Sequence, residues 1–472
     1  MIDDILSILK KGNNNILYQI NNDKITYLEA YNIALKISDN LKKQGNRPVI
    51  LYGHKSINQF ISILACLIAK RSYIPIDLCT PINRIKEIIR MSNATLFIKN
   101  EDIEIDDIET LTITELNNKY NKCDNIYPNN NDIAYIMFTS GSTGVSKGVP
   151  ISYDNLSNFI KWITNTKEFN RCNNLNILSQ ASFSFDLSLM DIFFAIYKES
   201  HIIAIDSNAK EDISSTLNTI KNNKINFLIM TPTFIKMLLI DRNFNQENYP
   251  DIKYMFFCGE CLEVATVKKI KERFSKIIVI NAYGPTEATC AVCLTEITLD
   301  MLKNDVLPVG KINSAAVKIE VCDGEIILKG NSVFNNYLKI SSDNCYKEEN
   351  INCYKTGDIG YIKDNYLYCN GRLDSQIKYQ GYRIELSDIE NNLLKIKGIN
   401  DACVITKYKE ETNIVRLIKA FVTVDNGITE INIKNELKKF LPKYMIPKKI
   451  IILDKIPINN NGKYDRKKLN DL

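Results

Sequence analysis

Strand-like apolar runs alternate with helix-like segments through residues 27–284, and this alternation constrains the fold more than any other feature of the chain. Residues 27–43 place apolar side chains at helical spacing, and PVILYG at 48–53 follows as a strand. A helix over 57–69 leads into the short strand SYIPID. TPINRIKEIIRMS then predicts a helix with proline in its first turn, before the strand ATLFIK. The pattern resumes with HIIAID at 201–206, a helix near 211–222, NFLIMT at 226–231 and YMFFCG at 254–259. A helix over 263–273 and IIVINAYG at 277–284 complete it. Strands joined through helices pair in parallel, so the reading is a large N-terminal α/β lobe built on parallel sheets.

From about 308 the texture changes. VKIEVCDGEIILKG and YIKDNYLYCNGRLD read as the short strands and turns of a β-rich subdomain. From 375 onward a helix over 386–396, the strands ACVITKY and KAFVTV, and a helix over 430–439 read as a separate small α+β lobe. At 472 residues the chain exceeds one ordinary core, which agrees with several lobes. The polar stretch 117–132 is a connector, and no internal repeat is visible.

Charge and residue usage then exclude whole classes of function. Lys and Arg number 60 against 55 Asp and Glu, a net charge of only +5, and no basic run interleaves with aromatics. A nucleic-acid partner is therefore not expected. The opening MIDDILSILKK does not resemble a secretory signal, and FISILACLIA at 60–69 is about half of a membrane span. It reads as a buried helix, with a cytoplasmic protein and no membrane insertion as the expectation. Thirteen cysteines without an export signal imply a reducing compartment and free thiols. With two histidines, His54 and His201, a histidine-based triad or a His-rich metal site is nearly excluded.

Two C-x-x-C pairs, Cys258–Cys261 and Cys290–Cys293, raise the question of zinc or redox chemistry. CAVC lies in the strand-like run ATCAVCLTEIT, where residues three apart point to opposite faces. Cys290 and Cys293 should therefore not chelate together, and CGEC alone supplies two ligands.

The most informative segment is IMFTSGSTGVSKGVPISYDNL at 136–156. It places Thr139, Ser140, Ser142 and Thr143 among Gly141, Gly144 and Gly148, with Lys147 close behind. Glycines let backbone N–H groups converge on an anion, and the hydroxyls add donors. The spacing is not that of a Walker A loop. An apolar strand before it and a helix-like stretch after it favour a structured phosphate loop.

TSGSTGVSKG resembles the signature loop of the adenylate-forming superfamily, which includes acyl-CoA synthetases, luciferases and the adenylation domains of peptide synthetases. NAYGPTEAT (281–289), YKTGDIG (354–360), GRLDSQIKYQGYRIELSDIE (371–390) and NNGKYDRKKL (460–469) resemble further motifs of that family in its order. Such enzymes convert a carboxylate and ATP, with Mg²⁺, into an acyl-adenylate, then pass the acyl group to a thiol. The resemblance implies that the 139–147 loop holds the β- and γ-phosphates. Tyr283, between Ala282 and Gly284, would stack on adenine; Thr286 would contact the α-phosphate and Glu287 would hold Mg²⁺. Asp358 would accept from the ribose hydroxyls with Arg372 beside it. Lys463 would bridge substrate carboxylate and α-phosphate. The implied lobes are 1–373 and a mobile lid, 374–472, hinged near Asp374, with 379–382 entering the site for thioester formation.

SFSFDLSLMD (182–191) matches the family's substrate segment. By resemblance Asp186 pairs with the α-ammonium of an amino acid; a role as N-cap of the following helix is compatible. Leu187, Met190, Ile229 and Phe256 would line the side-chain pocket, together with Cys258, Gly259, Ala282, Cys290 and Ala291. The lining suits a small apolar side chain. Phrases such as FFCGECL, LPVG and LPKYMIPKKI resemble the D-alanine–D-alanyl carrier protein ligases, in which a cysteine matched by Cys258 lies against the substrate methyl. That implies D-alanine, a phosphopantetheine-bearing carrier protein, and teichoic acid alanylation. Cys290 and Ala282 stand where Val and Thr are expected, so D against L stays open. So does a stand-alone peptide-synthetase-type enzyme for another small amino acid.

Overall fold

The computed structural model describes residues 1–118, 133–141, 146–170, 172–206, 212–408, 415–425, 427–458 and 464–470. Two α/β sheets form the large lobe. In the eight-stranded one the order is Cys293–Glu296, Ile278–Tyr283, Tyr254–Phe257, Phe227–Met230, Asn176–Ser179, His201–Ala204, Ile16–Ile20, Asp23–Thr26. Its inner strands pair in parallel and only the two edge pairings are antiparallel. The six-stranded sheet runs Glu109–Leu111, Leu96–Lys99, Val49–Tyr52, Tyr73–Ile76, Ile133–Thr139, Lys147–Ser152, parallel except for its last pair. Continuous burial of VILY, YIPI and FLIM is what parallel strands covered on both faces require.

Local chemistry sets the helices between them. Thr26 caps the helix Tyr27–Lys43 in a reciprocal box with Glu29, and Ser152 does the same with Asn155 for Tyr153–Asn165. The helix Ile57–Ile68 carries the apolar run and is buried from Gln59 to Ile68. Among the described residues no helix is long and apolar enough to cross a membrane.

An antiparallel sheet with the path Gly310–Lys311, Tyr366–Arg372, Ile351–Lys363, Glu325–Lys329, Lys318–Cys322 forms the β-rich subdomain. Beyond it come the hairpin Gln376–Tyr379/Tyr382–Glu385 and a three-stranded sheet of Ile399–Tyr408, Val415–Val424 and Lys449–Ile452. Residues 377–450 gather their own apolar cluster, separate from those of the large lobe. The fold is thus α/β with a β-rich subdomain and a small α+β lobe.

Two local expectations are corrected. The glycine-rich loop is followed by the edge strand Lys147–Ser152, antiparallel to Ile133–Thr139, and the helix starts only at Tyr153. The expected strand and helix are both present, with this unexpected strand between the loop and the helix. Within CAVC, Cys290, Ala291 and Val292 are not in a strand. A short 3₁₀ turn spans Thr286–Ala288, Thr289 and Cys290 take left-handed backbone (φ 62° and 73°), and the strand begins at Cys293.

Candidate active site

A cleft of about 590 Å³ opens between the large lobe and the small one. Ala282, Tyr283 and Gly284, at the end of the strand Ile278–Tyr283, form one wall, and Asp358, Gly371 and Arg372 form another. Tyr283 Oη donates to Asp358 Oδ2 at 2.6 Å, and Arg372 Nη1 donates to Asp358 Oδ1 at 2.5 Å. Arg372 also grips Asp374 with both arms of its fork, Nε–Oδ1 2.7 Å and Nη2–Oδ2 2.8 Å. Burial alone would raise the Asp374 carboxyl, but that grip holds it below its ordinary value. Gly357 permits the arrangement: its φ is +72°, and a Cβ there would sit 2.8 Å from Arg372 Nη2. The aromatic, acidic and basic residues expected to hold a nucleotide therefore meet in one place.

A smaller recess of about 90 Å³ is lined by Thr139, Ser140, Asp186 and Thr286 from the large lobe, with Tyr382 and Arg383 from the hairpin. Ser140 Oγ accepts from Glu385 N at 2.9 Å and donates to the Arg383 carbonyl at 3.1 Å. Glu287 is fully buried: Oε1 accepts from Tyr337 Oη at 2.6 Å and Oε2 from Arg383 Nη1 at 2.5 Å. Burial pushes Glu287 up, but the Arg383 charge together with the hydrogen bonds from Tyr337 and Arg383 holds it below its ordinary value, so the group stays anionic. Lys147 Nζ stands 5.5 Å over the Tyr337 ring. Ser142, Thr143, Gly144 and Lys463 lie outside the described residues. Tyr464 and Asp465, next to Lys463, bond to Asp401 and Pro457 of the small lobe at 3.0 and 2.8 Å.

The residues expected on the acyl side also converge. Leu187, Met190, Ile229, Phe256, Cys258, Ala282, Cys290 and Ala291 all belong to one buried apolar cluster. Cys258 Sγ lies 4.0 Å from the Cys290 carbonyl oxygen, while Gly259 and Ala282 reach the larger cleft. Cys258 and Cys290 line neither of the two clefts. Asp186 is the polar member at the edge of the cluster. Desolvation pushes its carboxyl up to about 6, against the Thr286 hydroxyl bond that lowers it. It makes no side-chain cap to the helix it precedes. That helix continues as a π-helical turn over Met190–Phe194.

Desolvation pushes Cys258 up to about 12 and Cys290 well above its ordinary value, so both stay protonated. Cys261 is exposed and Cys293 is buried against Gly310. Among the described residues no group of three or more His, Cys, Asp or Glu could hold a metal ion, and no cysteine is in a disulfide.

The family model of the AMP-binding enzymes matches residues 9–338, and that of the AMP-binding enzyme C-terminal domain matches 388–463. The chain belongs to the AMP-binding enzyme family. It is 37% identical to a D-alanine–D-alanyl carrier protein ligase of Listeria welshimeri, covering 91% of this chain and 90% of that one. The protein of that name from Bacillus licheniformis is 35% identical, covering 95% and 94%. An adenylation domain of Vibrio cholerae solved with glycyl-adenosine-5'-phosphate shares the fold with a TM-score of 0.86 at 21% identity, covering 99% of this chain and 96% of that one. An NRPS protein containing adenylation and PCP domains, bound to a vinylsulfonamide inhibitor, gives 0.84 at 20% identity, covering 99% and 83%.

Sequence reasoning left out three residues that contact the expected site residues or the hairpin. Arg383 sits in the quoted GYRIEL but was given no partner; its ion pair with Glu287 spans 96 positions. Glu260 lies inside CGEC, where the cysteines drew attention. Its carboxylate accepts from Thr233 N at 2.8 Å and from Gly381 N at 2.6 Å, fastening the hairpin tip to the large lobe. Lys378, 5.7 Å from the Tyr283 ring centroid, is the third.

Proposed function

We propose that this enzyme is an AMP-forming ligase that activates a small amino acid, D-alanine by preference, and loads it on the phosphopantetheine thiol of a carrier protein. The product would serve D-alanylation of teichoic acid, in the cytoplasm where ATP is at hand. Asp186 carries the reading. A carboxylate held at the edge of an apolar cluster needs a cation, and the α-ammonium of an amino acid supplies one. The neutral thiols and alanines beside it leave a long or charged side chain without partners. Relatives at 35–37% identity over nine-tenths of the chain that bear the D-alanine name support the choice over a peptide-synthetase-type enzyme for another residue.

In the first half-reaction the amino-acid carboxylate attacks the α-phosphorus of ATP and pyrophosphate leaves. Tyr283, Asp358 and Arg372 would hold the nucleoside. Thr139, Ser140, Gly141, Ser142, Thr143, Gly144 and Lys147 would cradle the outgoing phosphates, with Thr286 at the α-phosphate and Lys463 bridging carboxylate and phosphate. A hard, buried carboxylate suits Mg²⁺ arriving on the triphosphate, so Glu287 is the residue to hold it; the ion would neutralise phosphate charge. In the second half-reaction the thiol attacks the acyl carbon and AMP leaves. We take 374–472 as a lid turning about Asp374, and the hairpin seated on Ser140, Glu260 and Glu287 as its thioester-forming stance.

Pyrophosphate exchange over a panel of D- and L-amino acids tests the reading. D-alanine should give the highest kcat/KM, with relatives differing by a methylene leaking through because such discrimination is worth only ~1–3 kcal/mol. D-alanine no better than L-alanine, L-serine or L-cysteine would overturn the assignment.

A further inference from the structure

The segment that carries Asp186 is held at both ends by charges buried deep in the large lobe. Lys55, Ser179 and Asp191 are each fully buried. Lys55 Nζ donates to Ser179 Oγ at 2.5 Å, Ser179 Oγ donates to Asp191 Oδ2 at 2.5 Å, and Lys55 and Asp191 stand 3.8 Å apart. Ser179 ends a strand of the eight-stranded sheet, Asp191 lies in the π-helical turn, and Lys55 comes from the loop after Val49–Tyr52 of the six-stranded sheet. One residue earlier, His54 Nδ1 and Asp77 Oδ2 are 2.7 Å apart, and Ser182 Oγ donates to the same Asp77 oxygen. Ser182 in turn is hydrogen-bonded to Ser184 at 3.1 Å.

Two consecutive residues of the loop that follows one sheet's strand thus reach across to the other sheet. His54, through Asp77, fixes the segment at Ser182, four residues before Asp186, and Lys55 fixes it at Ser179 and at Asp191, five residues after. A buried ion pair is weak evidence for stability, because desolvation offsets most of the attraction. It does impose a register, since any slip of the segment would strand a charge without its partner. The family motifs quoted above explain neither His54 nor Lys55.

We propose that His54 and Lys55 are positioning residues that set the amino-acid site, acting through Asp77, Ser179 and Asp191 on the carboxylate of Asp186. Resting on the amino-acid reading above, the inference makes affinity for the amino acid depend on two residues that do not touch it. Their effect should fall on the acyl side alone, because the nucleotide side is built on Tyr283, Asp358 and Arg372.

The test uses the full chain and four variants: Lys55→Met paired with Asp191→Asn, His54→Ala, His54→Asn and Ser182→Ala. His54→Asn keeps a donor near the Nδ1 position. Calorimetry measures binding of AMP and of a non-hydrolysable D-alanyl sulfamoyl-adenosine, and exchange kinetics gives KM for each substrate. The paired variant and His54→Ala should raise KM for D-alanine at least tenfold and weaken the aminoacyl analogue alike. Affinity for AMP and KM for ATP should stay within about twofold, and His54→Asn should recover most of the loss. If the paired variant fails to fold, the comparison of His54→Ala, His54→Asn and Ser182→Ala decides. Folded variants that lose both ligands in parallel, or neither, overturn the inference alone. Wild-type protein that binds AMP but no aminoacyl analogue overturns the amino-acid reading and the inference with it.

Discussion

Replacing Asp186 by Asn should make the protein more stable and nearly inactive at once. Burial moves this carboxyl from 3.8 to about 6, roughly two units, which at 1.36 kcal/mol per unit costs about 3 kcal/mol to keep ionised at neutral pH. The sign follows from proton binding. Between 3.8 and about 6 the folded protein holds this proton more tightly than the unfolded chain, so its contribution is full below 3.8 and disappears as pH rises through 6. Asn carries no such charge, so the stability gap between variant and wild type should open with rising pH and reach up to ~3 kcal/mol by pH 7.5. Urea melts at pH 4.5 and 7.5 measure it directly. Loss of the partner for the substrate ammonium should lower kcat/KM for D-alanine by about 10²-fold or more, taking the same ~3 kcal/mol as the least the ion pair returns. KM for ATP should hardly move. Wild-type kcat/KM for D-alanine should also fall tenfold per unit below about pH 6, a limb the Asn variant lacks. A variant that is destabilised at pH 7.5, or one that keeps its KM for D-alanine, would refute the reasoning.

Three further outcomes are expected. Arg383→Gln removes the cation from the buried Glu287, a loss of ~3–5 kcal/mol in this packing of the hairpin; if the hairpin is the thioester-forming element, single-turnover transfer from preformed adenylate to the carrier should slow by about 10²-fold or more, with exchange far less affected. Lys463→Ala should do the reverse, abolishing most exchange while transfer from added adenylate persists. Gly357→Ala must fit a Cβ 2.8 Å from Arg372 Nη2 at a φ of +72°, so it should raise KM for ATP with little change in KM for D-alanine.

The parallel sheets were legible because strands buried on both faces are continuous apolar words: VILY, YIPI and FLIM need no partner to be recognised. The strand Lys147–Ser152 was not, because KGVPIS holds glycine and proline, which only an edge strand tolerates, and it lies on an edge. CAVC failed for the opposite reason. Its apolar residues suggest extended chain, but a Cβ on Gly284 would lie 2.5 Å from Ala291 Cα, and the chain reaches that close contact through left-handed Thr289 and Cys290. Nothing in the residue types announces such a turn.

Single site residues could be read one at a time; their pairings could not, since the partners stand 75 to 121 positions apart at Tyr283–Asp358, Glu287–Arg383 and Glu260–Gly381. Those pairings change what the motifs mean. Ser140 and Glu287 are expected to serve phosphate and Mg²⁺, yet here their polar atoms are taken by the hairpin backbone and by Arg383. One oxygen of this buried carboxylate is bound to a tyrosine and the other to a guanidinium, so a metal ion would have to displace the Arg383 charge. If the lid turns as proposed, Arg383 and Mg²⁺ are alternatives at Glu287, and the hairpin can seat only when the phosphates have gone. Excess Mg²⁺ with a non-reactive pyrophosphate analogue should therefore slow transfer from preformed adenylate in the wild type by competing for that seat, and transfer indifferent to both would show that the seat is not shared.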